Sequence, residues 1–304
     1  MSKILVCGLV NVETTVKIDE FPLPYQPIDY NFFGINSYPA GVGLNLSLAF
    51  SSLSDEVKLL SMVGDDSAGA IVKDVLRKNN ISTDYLENTA STAQSVVLYD
   101  NDGKRRIFCD LKDFQDKSYD EEVFRKAAYD CDTLCLCNIN FSRKLLKIAK
   151  DMGKRVATDV HVLSNINDEY NSDYIKYSDI LFLSNENILG REEECIKSLR
   201  DAYNNEIIVI GMGENGALMY VRVDDKIYKI DSVKPEKIVN TVGAGDSLFS
   251  SFVHFYTKGV DPYNSLRYAT FFASYKIGFD GAAKGFLTEG KLIELAHNKK
   301  QQSS

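Results

Sequence analysis

The sequence predicts an α/β fold: a central, mostly parallel sheet with helices on both faces and a small β lid. Three observations point there. Short apolar runs recur without polar alternation, helical patterns long enough to cross back over a sheet separate them, and two stretches break this rhythm. At 304 residues the chain suits one large α/β domain spanning 1–304.

The predicted strands occupy 4–10, 57–63, 133–137, 155–158, 180–183 and 207–210, each too uniformly apolar to have a solvent face. Helical periodicity covers 68–78, 142–152 and 192–202. The first exception, about 11–38, contains prolines and aromatics but no helical period. The second, 95–110, reads as two strands around Asp100, Asn101, Asp102 and Gly103, residue types that readily take positive φ at a hairpin turn. Together these two stretches are expected to form a small antiparallel sheet that projects as the lid.

Composition narrows the function classes. With 44% hydrophobic and 26% charged residues the chain is globular, and the only biased segment is the polar tail 299–304. A formal charge of −8 sets a field that repels polyanions, and Lys104, Arg105 and Arg106 read as a solvated hairpin end, so no nucleic-acid partner is expected. No apolar run reaches the ~18 residues of a membrane span, and no membrane partner is expected. Residues 4–10 follow Lys3 but no small-residue cleavage site follows them, so they read as a strand. The six cysteines lack paired metal spacing and read as free thiols of a cytoplasmic protein.

The most informative run is Val239, Asn240, Thr241, Val242, Gly243, Ala244, Gly245, Asp246 and Ser247, followed by an apolar helical pattern over 248–258. A glycine-rich turn entering a helix leaves backbone N–H groups pointing outward at the positive end of the dipole, which suits an anion. Asp246 at its edge either caps the helix or accepts a hydroxyl proton beside donors that hold a phosphoryl group. The absence of side chains at Gly243 and Gly245 favours the second role. At 211–216 the glycines Gly211, Gly213 and Gly216 satisfy a dinucleotide pattern literally, but a strand-like run follows where a helix should. No Gly-Lys-Ser/Thr run marks a P-loop, and His161, His254 and His297 show no pairing that suggests a role.

Residues 240–246 closely resemble the Asp-Thr-x-Gly-Ala-Gly-Asp signature of the ribokinase-like (PfkB) kinases, with Asn240 in place of the first Asp. The resemblance runs in family order from Gly8 to about Gly285 and implies a ribokinase-like sheet with a β lid, ATP as phosphoryl donor, Mg²⁺ as cofactor and a sugar alcohol group as acceptor. It further implies that Asp246 is the base and that Gly243, Ala244 and Gly245 form the anion hole. Because the first position lies near a monovalent-cation site in some members, Asn240 puts potassium activation in question. Gly41, Gly43 and Asn45 resemble the family's substrate loop, where missing side chains would let a ligand approach. Asn11, Glu13 and Asn138 fall at the strand ends that meet substrate. Asn185, Gly211, Gly213, Gly216 and Thr241 are implied to bind ATP, and Gly64 to Gly69 resembles a recurrent segment expected to cap a helix.

One departure stands out: Asn185, Glu186, Asn187 and Ile188 occupy an Asn-x-x-Glu element that organises magnesium, and Ile188 replaces its Glu. Glu186 or Asn187 substitutes, or water completes the metal shell. A nucleoside kinase such as a pseudouridine kinase is the nearest alternative, with Tyr38 or Phe108 as a wall for the base. A sugar-binding sensor is the other, and Ile188 alone favours it. Sheets of this kind pair across a dimer in the family, so a homodimer through the β lid is expected.

Overall fold

The computed structural model describes residues 1–301 except Gly103. That glycine of the expected hairpin turn, and 302–304 of the polar tail, therefore lie outside the described residues. The strands are β1 (Lys3–Cys7), β2 (Asn11–Lys17), β3 (Ile35–Ala40), β4 (Glu56–Gly64), β5 (Leu86–Thr89), β6 (Gln94–Tyr99), β7 (Arg105–Asp110), β8 (Thr133–Leu136), β9 (Arg155–Val162), β10 (Ile180–Ser184), β11 (Ile207–Gly211), β12 (Ala217–Val221) and β13 (Lys226–Ile230). The helices are α1 (Val42–Ser52), α2 (Ser67–Lys78), α3 (Glu121–Ala128), α4 (Asn140–Asp151), α5 (Ser172–Tyr177), α6 (Glu192–Ala202), α7 (Ala244–Thr257), α8 (Pro262–Lys276) and α9 (Glu289–Gln301).

Alternating side chains of the strands go to opposite cores, which is why the sequence shows apolar runs and not alternation. Leu5 and Cys7 of β1, Leu181 and Leu183 of β10, and Ile208 and Ile210 of β11 pack with Phe124, Leu145, Ile175 and Ile196 of α3 to α6. Their neighbours Ile4, Val6, Ile180, Phe182, Ile207 and Val209 pack with Leu44, Val72, Phe249 and Leu266 of α1, α2, α7 and α8. The sheet order is β13-β12-β11-β10-β9-β8-β1-β4-β5. Its pairings from β11 to β5 are parallel, while β12 and β13 add antiparallel strands at one edge. From β1 the chain passes to β4 on one side and later to β8 on the other, so a topological switch point lies between β1 and β8.

The two irregular stretches form a second sheet of order β3-β2-β6-β7. Its outer pairs are the antiparallel ones, β2 with β3 and β6 with β7. The central pair, β2 with β6, runs parallel because the chain returns to the main sheet between them. The apolar run 4–10 is not one strand: β1 ends at Cys7, and a short link leads to β2. Gly8 stands at the break, where a Cβ would meet the Cys137 sulfur at 2.6 Å and the Gly43 Cα at 3.0 Å. Asp66 caps α2 as expected, accepting from Gly69 N at 2.8 Å, and also receives Thr92 N at 2.8 Å. All six cysteines are free; Cys109 on β7 is exposed, whereas the other five are buried.

Candidate active site

At the switch point the carboxyl ends of β1 and β8 lie side by side, with Cys137 N donating to Cys7 O at 2.9 Å. The N-terminus of α1 presses on the same spot. A Cβ on Gly43 would strike Gly8 O at 2.6 Å, and one on Gly41, whose φ is 101°, would strike Leu9 O at 2.4 Å. These glycines are required by the chain's own backbone, a demand the sequence reading did not weigh. The close packing carries Asn45, one turn into α1, to α7: its Nδ2 donates to Asp246 Oδ2 at 2.7 Å.

Asp246 is not the cap of its helix. Gly243 holds that position in the left-handed region, φ 81°, and a Cβ there would meet Ala282 O at 2.8 Å. Ala244 N–H is already engaged by Thr241 O at 3.2 Å, and the α7 ladder starts with Ser247 N to Gly243 O at 3.0 Å. The N–H groups of Gly243, Gly245 and Asp246 are thus the ones left without a backbone partner. A Cβ on Gly245 would meet nothing within 4 Å, so the turn is open on that side. Burial raises the Asp246 pKa above the ordinary carboxylate range; neighbouring His161, the Asn45 hydrogen bond and Lys276 oppose the rise, and Asp159 adds to it. Asp246 and Asp159 line one small cavity with Val42, Cys137, Thr158 and Phe249.

Asp159 and His161 are residues the sequence reading missed. They end β9 beside Asp246, and His161 adopts φ 60°, a left-handed conformation costly for a side-chain-bearing residue. Its N–H donates to Asp159 Oδ1 at 2.7 Å. Nothing in a single histidine within an apolar run betrays such a neighbourhood.

A second polar group hangs from the small sheet. Asn11 Nδ2 donates to Ser95 Oγ at 3.1 Å, Ser95 Oγ to Glu13 Oε2 at 3.4 Å, and the Tyr38 hydroxyl to Glu13 Oε1 at 3.1 Å. Burial and the Glu13 carboxylate both raise the Tyr38 pKa. The register pairs Glu13 with Tyr38 and Ser95, which places all three on one face. Phe108 pairs with Val96, and Val96 with Thr14, so pleat alternation puts Phe108 on the opposite face. Of the two aromatic walls expected, only Tyr38 shares the Glu13 face. Asn11 Oδ1 and Asn45 Oδ1 are buried with no hydrogen-bond partner. Asn138 joins different bonds, donating from Nδ2 to Val160 O at 3.4 Å and Asn171 Oδ1 at 3.2 Å.

Asn185 N–H donates to Gly211 O at 3.1 Å, so the ends of β10 and β11 adjoin. The segment from Gly211 to Gly216 turns directly into antiparallel β12, which rules out the dinucleotide reading: no helix follows. Gly216, φ 86°, is demanded by Ile230 O, which a Cβ would meet at 2.0 Å, whereas Gly213 faces open space. Thr241 is exposed beside the open turn. Ile188 is 4% exposed and belongs to the core beneath α6, so the side chain in the place of the family's Glu is packed away from solvent. A carboxylate nevertheless stands on Asn185: Glu192, the first residue of α6, accepts from Asn185 Nδ2 at 2.9 Å, and this bond lowers its pKa. Glu186 is exposed, and Asn187 Nδ2 donates to Ser164 Oγ at 2.8 Å.

Residues 1–288 match the pfkB family carbohydrate kinases. The chain belongs to that family. This pfkB protein is 23% identical over 295 residues to acarbose 7(IV)-phosphotransferase of Actinoplanes sp., covering 96% of this chain and 98% of that one. It is 26% identical over 306 residues to a nucleoside kinase of Methanothermobacter thermautotrophicus, covering 96% and 94%. Its fold matches an Arabidopsis thaliana ribokinase solved with ribose and ATP at a TM-score of 0.83, with 17% identity over 97% of this chain and 99% of that one. Within the pfkB frame, Asn45 and Asp246 are joined directly, and Asn11, Glu13, Tyr38 and Ser95 form one network.

Proposed function

We propose that this protein transfers the γ-phosphoryl group of ATP to an alcohol, a hydroxymethyl group or similar, of a sugar. The observation that carries the reading is a half-buried carboxylate of raised pKa, Asp246, oriented by Asn45 at the open first turn of α7. Asp246 takes the proton of the acceptor hydroxyl as its oxygen bonds to the γ-phosphorus and the bond to the β-phosphate bridge breaks, releasing ADP. The N–H groups of Gly243 and Gly245, implied by the resemblance to form the anion hole, receive the charge on the transferring group, whereas that of Ala244, which the resemblance also includes, already donates to Thr241 O. The orphaned amide oxygens of Asn11 and Asn45 suit O–H donors, and Glu13 supplies a carboxylate acceptor, so a polyol is recognised. Gly41 and Gly43 serve this site by letting α1 approach β1.

For ATP, Asn185, Thr241 and the turn of Gly211, Gly213 and Gly216 are the groups we assign, with Gly213 on the open side. Magnesium bound to the phosphates would neutralise charge during transfer. Among the described residues no cluster of three or more His, Cys, Asp or Glu could hold a metal by itself. The hard oxygen donors available, Glu192 on Asn185, Asp159 and exposed Glu186, fit an ion that keeps much of its water. Glu192 also removes the support that Ile188 lent to a sensor. A nucleoside acceptor remains the second reading, because the Tyr38 ring lies on the Glu13 face. Asn138 is assigned a supporting place at the substrate strand ends.

The small sheet is proposed as the lid and as a homodimer contact. Tyr25, Tyr30, Phe32 and Phe33 in the link from β2 to β3, and Ile107 and Phe108 on β7, are all exposed. Light scattering of Phe33→Asp against wild type tests this, a monomer being expected from the variant. The reaction itself is tested by magnesium-dependent ADP formation across pentoses, hexoses, oligosaccharides and nucleosides, pseudouridine included. Stimulation by a sugar is expected; stimulation by nucleosides alone selects the second reading, and by no acceptor refutes both.

A further inference from the structure

Lys276, the last residue of α8, has no solvent exposure. Among the described residues no carboxylate lies within 4.0 Å of its ammonium, which instead donates to the carbonyl oxygen of Val242. A buried ammonium without an ion pair is costly and persists where the surrounding field favours it. Here the field comes from Asp246 and Asp280, whose charges oppose the lowering of the Lys276 pKa by burial.

The place of that carbonyl matters. Val242 C=O and Gly243 N–H belong to one peptide unit, and in a trans peptide they point in opposite directions. A cation behind the carbonyl therefore faces the Gly243 N–H forward, on the side where α7 begins, and polarises it as a donor. The rest of the strip is laced to the same segment: Val239 N and Asn240 N donate to Ile277 O at 2.8 and 3.1 Å, and Asn240 Nδ2 donates to Asp280 Oδ1 at 3.1 Å. Asn240 Oδ1 accepts from Val242 N at 2.9 Å. A carboxylate at 240 would repel Asp280 and add a charge; the amide does neither.

We propose that Lys276 is a tethered cation of the anion-binding turn: it holds the Val242 carbonyl from behind, so that the Gly243 N–H faces the transferring phosphoryl group, and takes the place of a free monovalent ion. Lys276 is a positioning residue, and its role in turnover rests on the kinase reading above. Wild-type kcat is expected to agree within about twofold in potassium, sodium and choline chloride at equal ionic strength. Lys276→Met should lower kcat by about 30-fold or more with the acceptor KM little changed, and Lys276→Ala should regain activity in ammonium or potassium chloride but not in choline chloride. A wild type that needs potassium severalfold, or a Lys276→Met variant near normal kcat, overturns the proposal; if neither variant folds, the wild-type salt comparison alone decides. If no acceptor is phosphorylated the kinase reading fails separately. Amide exchange over 239–247 still tests the tether, expected faster in Lys276→Met and slowed again in Lys276→Ala by potassium; unchanged exchange in both sinks it.

Discussion

Replacing Asp246 with Asn removes proton acceptance, and with it one of the two charges that favour the Lys276 ammonium, while keeping the shape of the site. The amide oxygen can still receive Asn45 Nδ2, now 2.7 Å from Asp246 Oδ2, so α1 and α7 stay joined. Burial disfavours the charged carboxylate, which is why its pKa is raised, and a neutral amide avoids that desolvation. The sign for stability follows. A carboxyl whose folded pKa lies above its unfolded value costs stability once pH exceeds the unfolded value, so at neutral pH Asp246→Asn should melt no lower than wild type. General-base contributions run to about 10²- to 10⁴-fold, and at 1.36 kcal/mol per decade this is roughly 2.7 to 5.4 kcal/mol of barrier. Initial-rate kinetics with ATP and the accepted sugar, alongside thermal melts and nucleotide titration, make the measurement. A kcat within tenfold of wild type in a folded variant would refute the role of Asp246 as base, and an unfolded variant would refute the account of its burial.

Four further outcomes are expected. The acid limb of the kcat profile should lie above the ordinary aspartate range, activity falling as pH drops through the raised Asp246 pKa; Asn45→Leu, which deletes a bond to the ionised form, should move that limb to higher pH. Gly245→Ala should fold normally, since its Cβ enters open space, yet lower kcat at least tenfold by filling the side from which the phosphoryl group approaches; a circular-dichroism melt and a rate assay together check it. Ile188→Glu, which the sequence alone suggests as a repair of the magnesium element, should instead destabilise the protein. It forfeits about 1.5–3 kcal/mol of burial and sinks a carboxyl into the core, lowering Tm by about 6 °C or more. Glu192→Gln, by contrast, should leave Tm nearly unchanged and raise the magnesium concentration for half-maximal rate.

The strand and helix rhythm was legible because burial on both faces writes itself into local composition: Ile207–Gly211 and Glu192–Ala202 lie where the periodicity places them. The glycine turn at the start of α7 was legible for a similar reason, since Gly243 takes positive φ and its neighbours form one contiguous run. Contacts between distant segments were not legible. Asn45 and Asp246 stand 201 positions apart, and only the packing of α1 beside α7 joins them. Glu192 on Asn185, Asp159 beside Asp246 and Lys276 behind Val242 depend in the same way on which strand ends and helix ends the topology gathers at one edge. The register sorted Tyr38 from Phe108, because one residue of slip exchanges the two faces of a strand. Local sequence thus determined the elements and the glycine turn that opens α7, through backbone conformation and burial. Tertiary structure alone decided which charges surround that turn, because charge interactions depend on distance in space and not along the chain.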